Sequence, residues 1–565
     1  MKTRTPNLMV ALVLLALSTV NLQLATAFGR GTAFSRLLKI CAVALFINTA
    51  VSLNATVWTV TSLADSGPGT LRQTVTLSSP GDTIQFAVTG AILLSSSINI
   101  PYNLAVQGPG PAALTVDAGG VDRAFITSGN PVILSGMTIR NGLVVGTAGT
   151  DGGIGQDGTS GGNAMGGAIL ENGPVLVLLN CWVTGNTVIG GRGGNGGSIS
   201  AFAGAAPGNG GAGGAAYGGA IYFPGAVLTN INCTFSQNRA IGGQGGDGGN
   251  CVDVAIAGGN GGGGGLPGGG ALTGSYSFNL NCTFSGNSVS GGAGGNGGSS
   301  ISSGGAGGPA NVGNDGGAIN NFSGLFISCT IVSNSAFAGA GGLGGSGTPS
   351  GANGAAGTAY AGGVWAYLYG GCLNLIGNTI LADNYADTGS TNYSASWTDL
   401  GYNFIGSVDY IPGCPFGTTT QAGTIAVPIH PQLGPLAQNG GGLPTHATTL
   451  SSPVTDQGYS FGLTTDERGA PRPYSFGLPR SPGGDGSDIG AFELGSADLG
   501  AAMSSNGMVL SWPAYYGDFT LQSTSNLLAP GNWMNVTDTP VIIGSVFVVT
   551  NNPIGAISFY RLISH

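Results

Sequence analysis

Residues 232–249 read NCTFSQNRAIGGQGGDGG and residues 281–298 read NCTFSGNSVSGGAGGNGG. The same phrase recurs as NCWVTGNTVIGGRGGNGG (180–197) and SCTIVSNSAFAGAGGLGG (328–345), so four copies start at 180, 232, 281 and 328. A second marker leads each copy: GGAIL from 166, GGAIY from 218, GGALT from 269 and GGAIN from 316. A degenerate fifth unit runs from GGVWAY at 362 to NTILADN at 378–384. A period near 50 residues is the mark of stacked supersecondary units, each burying its apolar face only against its neighbours.

Within a unit the apolar residues alternate. Ile231, Cys233 and Phe235 fall on one face, as do Leu280, Cys282 and Phe284, and Ile327, Cys329 and Ile331, with Asn and Thr on the other. Period two means half-buried strands. About 22 residues of each unit thus form one turn of a parallel coil, stacked at roughly 4.8 Å. The Gly-rich remainder leaves the coil as a loop. The expectation is an all-β, right-handed parallel β-helix (a pectin-lyase-like solenoid) with Gly-rich loop insertions. Cys at the same inward position of successive coils reads as a ladder of buried thiols, with a disulfide between adjacent coils as the alternative.

Composition agrees. Of 565 residues 111 are Gly, about a fifth against a usual 7%, and only 7% are charged. Lys2 and Arg4 precede the apolar run LMVALVLLALSTV (8–20), and Ala25-Thr26-Ala27 offers a cleavage site, which together read as an export signal. A second apolar run, 40–53, extends this leader, taken as residues 1–56. Removing it leaves nine arginines, no lysine and all 23 acidic residues, a net charge of −14. Such a body argues against nucleic acid, nucleotide or anionic membrane as partner, since phosphate binding needs clustered cations. A monomer is expected.

The paired markers GGA[IL] (166–169, 218–221, 269–272, 316–319) and FxxN (235–238, 284–287) resemble the polymorphic outer membrane protein repeats of bacteria. The resemblance covers about 166–390 and departs from the pattern at Val183, Ile331 and the fifth unit. It implies a surface-exposed β-helix with an adhesive role. Downstream, DLGYNFIG, HPQLGPLAQNGGGLPTHATTLSSPVTDQG, TDERGAPRP and SDIGAFE, in that order, are similar to a choice-of-anchor Q domain over 399–495. That resemblance implies terminal coils of a secreted bacterial protein. Residues 57–165 read as an N-terminal cap and first coils, with a short helix over Thr70–Ser78, and 166–398 as the repeats. Residues 496–565 alternate like a small β-sandwich, loosely resembling a fibronectin-type-III module at Trp512, Leu521 and Trp533.

Candidate chemistry is sparse. Lyase action on an acidic polysaccharide needs clustered carboxylates for a cation and a basic residue for proton abstraction, and hydrolysis needs paired carboxylates. The repeats scatter their acids. The best concentration lies between His446 and Glu493, where Asp456, Asp466 and Asp488 are the catalytic candidates; the competing reading pairs Arg468 and Arg472 with Asp456, Asp488 or Glu493 to close the last coils. GGIGQD (152–157) and GGQGGD (242–247) match the start of a calcium nonapeptide, which makes Asp157 and Asp247 the calcium candidates. The competing reading is Gly-rich strands packed side by side. Trp365, Tyr367 and Tyr369 share one strand face and are candidates for stacking on sugar, although alignment of GGVW with GGAI points Trp365 inward.

These readings converge on a secreted or cell-surface bacterial protein with a structural, adhesive or glycan-binding role, whose partner is an extracellular polysaccharide or a neighbouring cell surface. A polysaccharide lyase or hydrolase and a calcium-dependent scaffold are the alternatives.

Overall fold

The computed structural model describes residues 55–200, 205–251, 255–310, 316–366, 374–388, 392–408, 415–496, 498–504, 507–514, 516, 519–527, 533–543, 546–551 and 558–564. Most of the leader, together with Tyr367 and Tyr369, lies outside the described residues. The chain is a parallel β-helix. Among the described residues, twenty-three strands form one continuous parallel network, and a further parallel ladder of six strands runs beside it. Ile169, Ile221, Leu272, Ile319 and Val364 are successive register partners up the stack. So are Val183, Phe235, Phe284, Ile331 and Leu381. The Phe235 and Phe284 rings stack at 4.9 Å and 5° inside the core. At the N-terminal end a helix, Leu71–Leu77, is capped by Thr70 and buries Leu71 and Val75 against the same core.

Asparagine makes the corners. Asn180, Asn232, Asn281 and Asn378 hold φ near +50°, with Ser328 in the equivalent place. Asn tolerates this left-handed conformation better than other residues bearing a β-carbon. The corner breaks the alternation expected across it. Cys233 and Phe235 point into the central core, but Leu280 and Ile327 belong to a second, outer cluster with Phe278, Leu325 and Phe461, against which Ile231 packs. Cys181, Cys233, Cys282 and Cys329 are buried free thiols, so no disulfide links these coils.

The second Asn of each unit turns inward. Asn186, Asn238, Asn287, Asn334 and Asn384 form a ladder in which each Nδ2 donates to the next Oδ1 at 2.9 Å, from 186 through to 384. Every Nδ2 also donates to a backbone carbonyl, such as Phe235 O for Asn287. Each Oδ1 from 238 onward also accepts the backbone N–H of the preceding ladder residue. This ladder explains the FxxN spacing: Phe fills the core, and three residues later the amide closes the turn.

The Gly-rich loops run out from the coil and back, forming a two-layer flange. Their G-G-x rhythm matches an extended helix of three residues per turn. In the triplet 245–247 of the outgoing arm each N–H group has its own acceptor. Gly245 N donates to Ala293 O of the next coil, and Gly246 N to Gly211 O of a returning arm. Asp247 N donates to Asn195 Oδ1. A β-carbon on Gly245 or Gly246 would collide with the carbonyl of Gly262 or Gly194, so only glycine allows arms to approach this closely.

Coil stacking continues through Phe404–Val408 and Gln421–Thr424. Beyond that the expectation of terminal coils fails. Residues 429–494 run back along the outside of the solenoid as a strap, because the outer apolar cluster of Phe278, Leu280, Leu325 and Ile327 needs cover, which Phe461, Tyr459 and Leu463 supply. Among the described residues after 499, two antiparallel sheets of four and three strands form around Leu510, Trp512, Leu521 and Val549.

Candidate functional site

The strap carries the densest group of charged side chains, and it docks on the outward threonines of the NCTF phrase. Ala491 N donates to Thr330 Oγ1 at 3.0 Å and Asn281 Nδ2 to Thr465 O at 2.9 Å. Glu467 enters between two coils. Its Oε1 lies 2.8 Å from Thr234 Oγ1 and its Oε2 accepts from Thr283 Oγ1. Complete burial pushes the Glu467 carboxyl well above its ordinary range. A protonated carboxyl satisfies every atom: Glu467 donates to Thr234 Oγ1, and the Thr234 hydroxyl is then free to donate to Pro444 O, 2.8 Å away. Nearby, His446 Nε2 is 2.9 Å from Ser285 Oγ and its Nδ1 is 2.8 Å from Gly434 O, with burial lowering its basicity.

Both arginines are consumed within this assembly. Arg472 Nε meets Glu493 Oε2 at 2.7 Å with both side chains fully buried, and its Nη2 donates to Gly490 O and Phe492 O. Arg468 pairs with Asp466 at 2.8 Å and lies 3.7 Å above the Phe492 ring. The acid partners are therefore Asp466 and Glu493, and the pairs fasten the strap to the solenoid's flank rather than closing its last coils.

The three catalytic candidates are enclosed. Asp456 accepts from Ser475 Oγ at 2.8 Å and from Leu478 N at 3.1 Å. Asp466 accepts from Arg468 N, Ala470 N and Glu493 N. Asp488 accepts from Asp456 N, Leu494 N and Thr448 Oγ1. All three are wholly buried. Burial, and then the neighbouring Glu493, push Asp488 well up, and burial also raises Glu493 against the pull of Arg472. A general acid or base must reach a substrate proton, and these oxygens are committed to the protein's own donors.

The other candidates separate. Trp365 is buried, at 8% exposure, but for a different reason from the one its motif gave. Val364, not Trp365, is the register partner of Ile319, because AGGV (361–364) occupies the place of GGAI (316–319); Trp365 pairs with Asn320 instead. Asp157 and Asp247 sit on a returning and an outgoing arm respectively. Asp157 Oδ1 accepts Asn209 N at 2.6 Å and Asp247 Oδ1 accepts Asn296 N at 2.7 Å. Each caps the one N–H per three that the arms leave over, a role Asn195 and Asn260 also fill. Among the described residues no three His, Cys, Asp or Glu side chains are grouped to hold a metal ion.

Sequence reasoning missed Glu467 and His446 as docking residues. The available signal was the outward column Thr234, Thr283 and Thr330, a polar stripe recurring with the coil.

No family model matches the chain, and no curated protein matches it. Among solved structures, one titled "Crystal structure of pectate lyase Pel9A" aligns with 79% of this chain and 97% of its own, at 13% identity and a TM-score of 0.24. At that score the likeness says nothing of a reaction, and the β-helix rests on the strand register itself.

Proposed function

We propose that this chain is a secreted or cell-surface bacterial protein whose β-helix serves a structural, adhesive or glycan-binding role, with an extracellular polysaccharide or a neighbouring cell surface as partner. One observation supports this reading over catalysis: the acids most suited to acid–base chemistry, Asp456, Asp466 and Asp488, are buried and held by N–H and hydroxyl donors. Their hydrogen bonds go into holding the strap. The test is a glycan array probed with the exported protein, with reducing-sugar release and unsaturated-product absorbance read on every hit. Binding without product is expected. Product formation would overturn the proposal.

A further inference from the structure

The outer face of the six-stranded ladder carries a small cluster unlike its surroundings. Ser288, Ser335 and Tyr385 are successive register partners on it, and Ser290 pairs with Phe337 beside them. The alternate residues Val289, Ala336 and Ala386 are buried beneath, so the named side chains face outward. Phe337 and Tyr385 are 42% and 52% exposed, and their rings meet at 5.8 Å with planes 46° apart. Two exposed aromatic rings held against each other are costly to leave in water, since each buries a large apolar area when covered.

Polar groups lie close to the rings along the chain. Asp387, two residues beyond Tyr385, fixes Oδ2 on the Ala338 N–H at 2.9 Å. Two residues before Tyr385, Asp383 Oδ1 lies 2.6 Å from His430 Nδ1, and both of these side chains are open to solvent. The strand therefore offers an apolar platform beside the Asp387 carboxylate and the serine hydroxyls, with the Asp383–His430 pair two residues earlier in the chain. Few precisely placed polar groups around an aromatic floor define a small-ligand site.

We infer that Phe337 and Tyr385 form a sugar-stacking platform for a neutral polysaccharide, with Asp387, Asp383 and His430 receiving its hydroxyls. The C–H face of a pyranose ring matches the aromatic surface, and carboxylates are strong acceptors for sugar hydroxyls. Neutral rather than acidic sugar follows from charge: the carboxylates that flank Tyr385 in sequence, Asp383 and Asp387, and the acidic body both repel a uronic acid polymer. This assignment rests on the glycan-binding form of the function proposed above and locates it.

The test measures binding of the exported protein, and of its Tyr385→Ala, Phe337→Ala and Tyr385→Trp variants, to immobilised neutral and uronic acid polysaccharides. Tyr276→Ala, an exposed aromatic elsewhere, is the control. Both alanine variants should weaken neutral-glycan binding on the order of tenfold, with melting temperature unchanged, while Tyr385→Trp and Tyr276→Ala retain it. Wild-type binding that survives both alanine substitutions would overturn the platform and leave the functional reading standing. Preference for the uronic acid polymer would overturn the assignment of ligand class. Absence of glycan binding by the wild type would overturn both the platform and the glycan-binding reading.

Discussion

Asn238 and Asn287 stand 49 residues apart in sequence and are joined by a 2.9 Å bond from Nδ2 to Oδ1 in the centre of the molecule. Neither amide has a free valence, because each also serves a backbone carbonyl and a backbone N–H. Replacing Asn287 with Ala leaves buried partners above and below it unpaired, at a cost of about 1–3 kcal/mol. Asn287→Asp should cost at least as much at neutral pH, since a carboxylate cannot donate to Asn334 Oδ1. Urea denaturation measures both; a midpoint unchanged by either would show that the ladder contributes nothing.

The flange discriminates sharply between positions two residues apart. Gly246→Ala drives a methyl into the Gly194 carbonyl, whereas Gln244 is exposed at the x position of its triplet. Hydrogen exchange should show lost protection across neighbouring arms for Gly246→Ala and a wild-type pattern for Gln244→Ala. Equal exchange in the two variants would contradict the packing described for the arms.

Arg472→Met strands the Glu493 carboxylate in a buried site. Breaking a buried pair by removing one partner destabilises by about 3–5 kcal/mol. The strap should loosen first, and limited trypsin digestion reads this, because cleavage after Arg468 is blocked while that side chain is packed on Phe492. A variant as trypsin-resistant as the wild type would mean that the pair does not hold the strap.

Stability should fall as pH rises from the acidic side. Glu467 and Glu493 are raised above their ordinary 4.5, and Asp488 above 3.8. The folded state therefore holds more protons than the unfolded chain, and the stability this brings is complete below the ordinary values and lost as pH climbs through the raised ones. Asp65, Asp117, Asp122 and Asp485 are shifted down, by hydrogen bonds and, for the first three, an adjacent arginine acting against burial; their contribution disappears as pH falls below about 3.8. Melting temperature should peak in mildly acidic solution. Glu467→Gln should raise it at pH 8 and change it little at pH 4; a flat pH profile for the wild type would refute this.

The stack was readable in the sequence because a repeat reports the same position several times: the Cys and Phe columns and the Gly arms each lie where the pattern put them. Four features were not readable. The left-handed conformation of Asn232 and its equivalents is invisible to a period-two count, so Ile231, Leu280 and Ile327 were assigned to the wrong face. Trp365 was placed one residue out of register, because in the fifth unit two glycines fall where GGAI has one glycine and an alanine. The strap has no repeat, and Asp456, Asp466 and Asp488 resemble a reactive cluster until their donors, supplied by residues up to 40 positions away, are known. Phe337 and Tyr385 were missed because each stands at an ordinary strand position and becomes a pair only when coils 50 residues apart are stacked.

The flange has a thermal consequence. Its arms enclose peptide groups and almost no hydrocarbon, so disrupting them exposes polar surface, which lowers heat capacity, while opening the solenoid exposes apolar surface, which raises it. The cohesion of an oily interior fades on cooling. The two halves of each coil should therefore age differently with temperature: as the protein is chilled, the side-chain-poor plate keeps its rigidity while the filled barrel beside it loses some of its own.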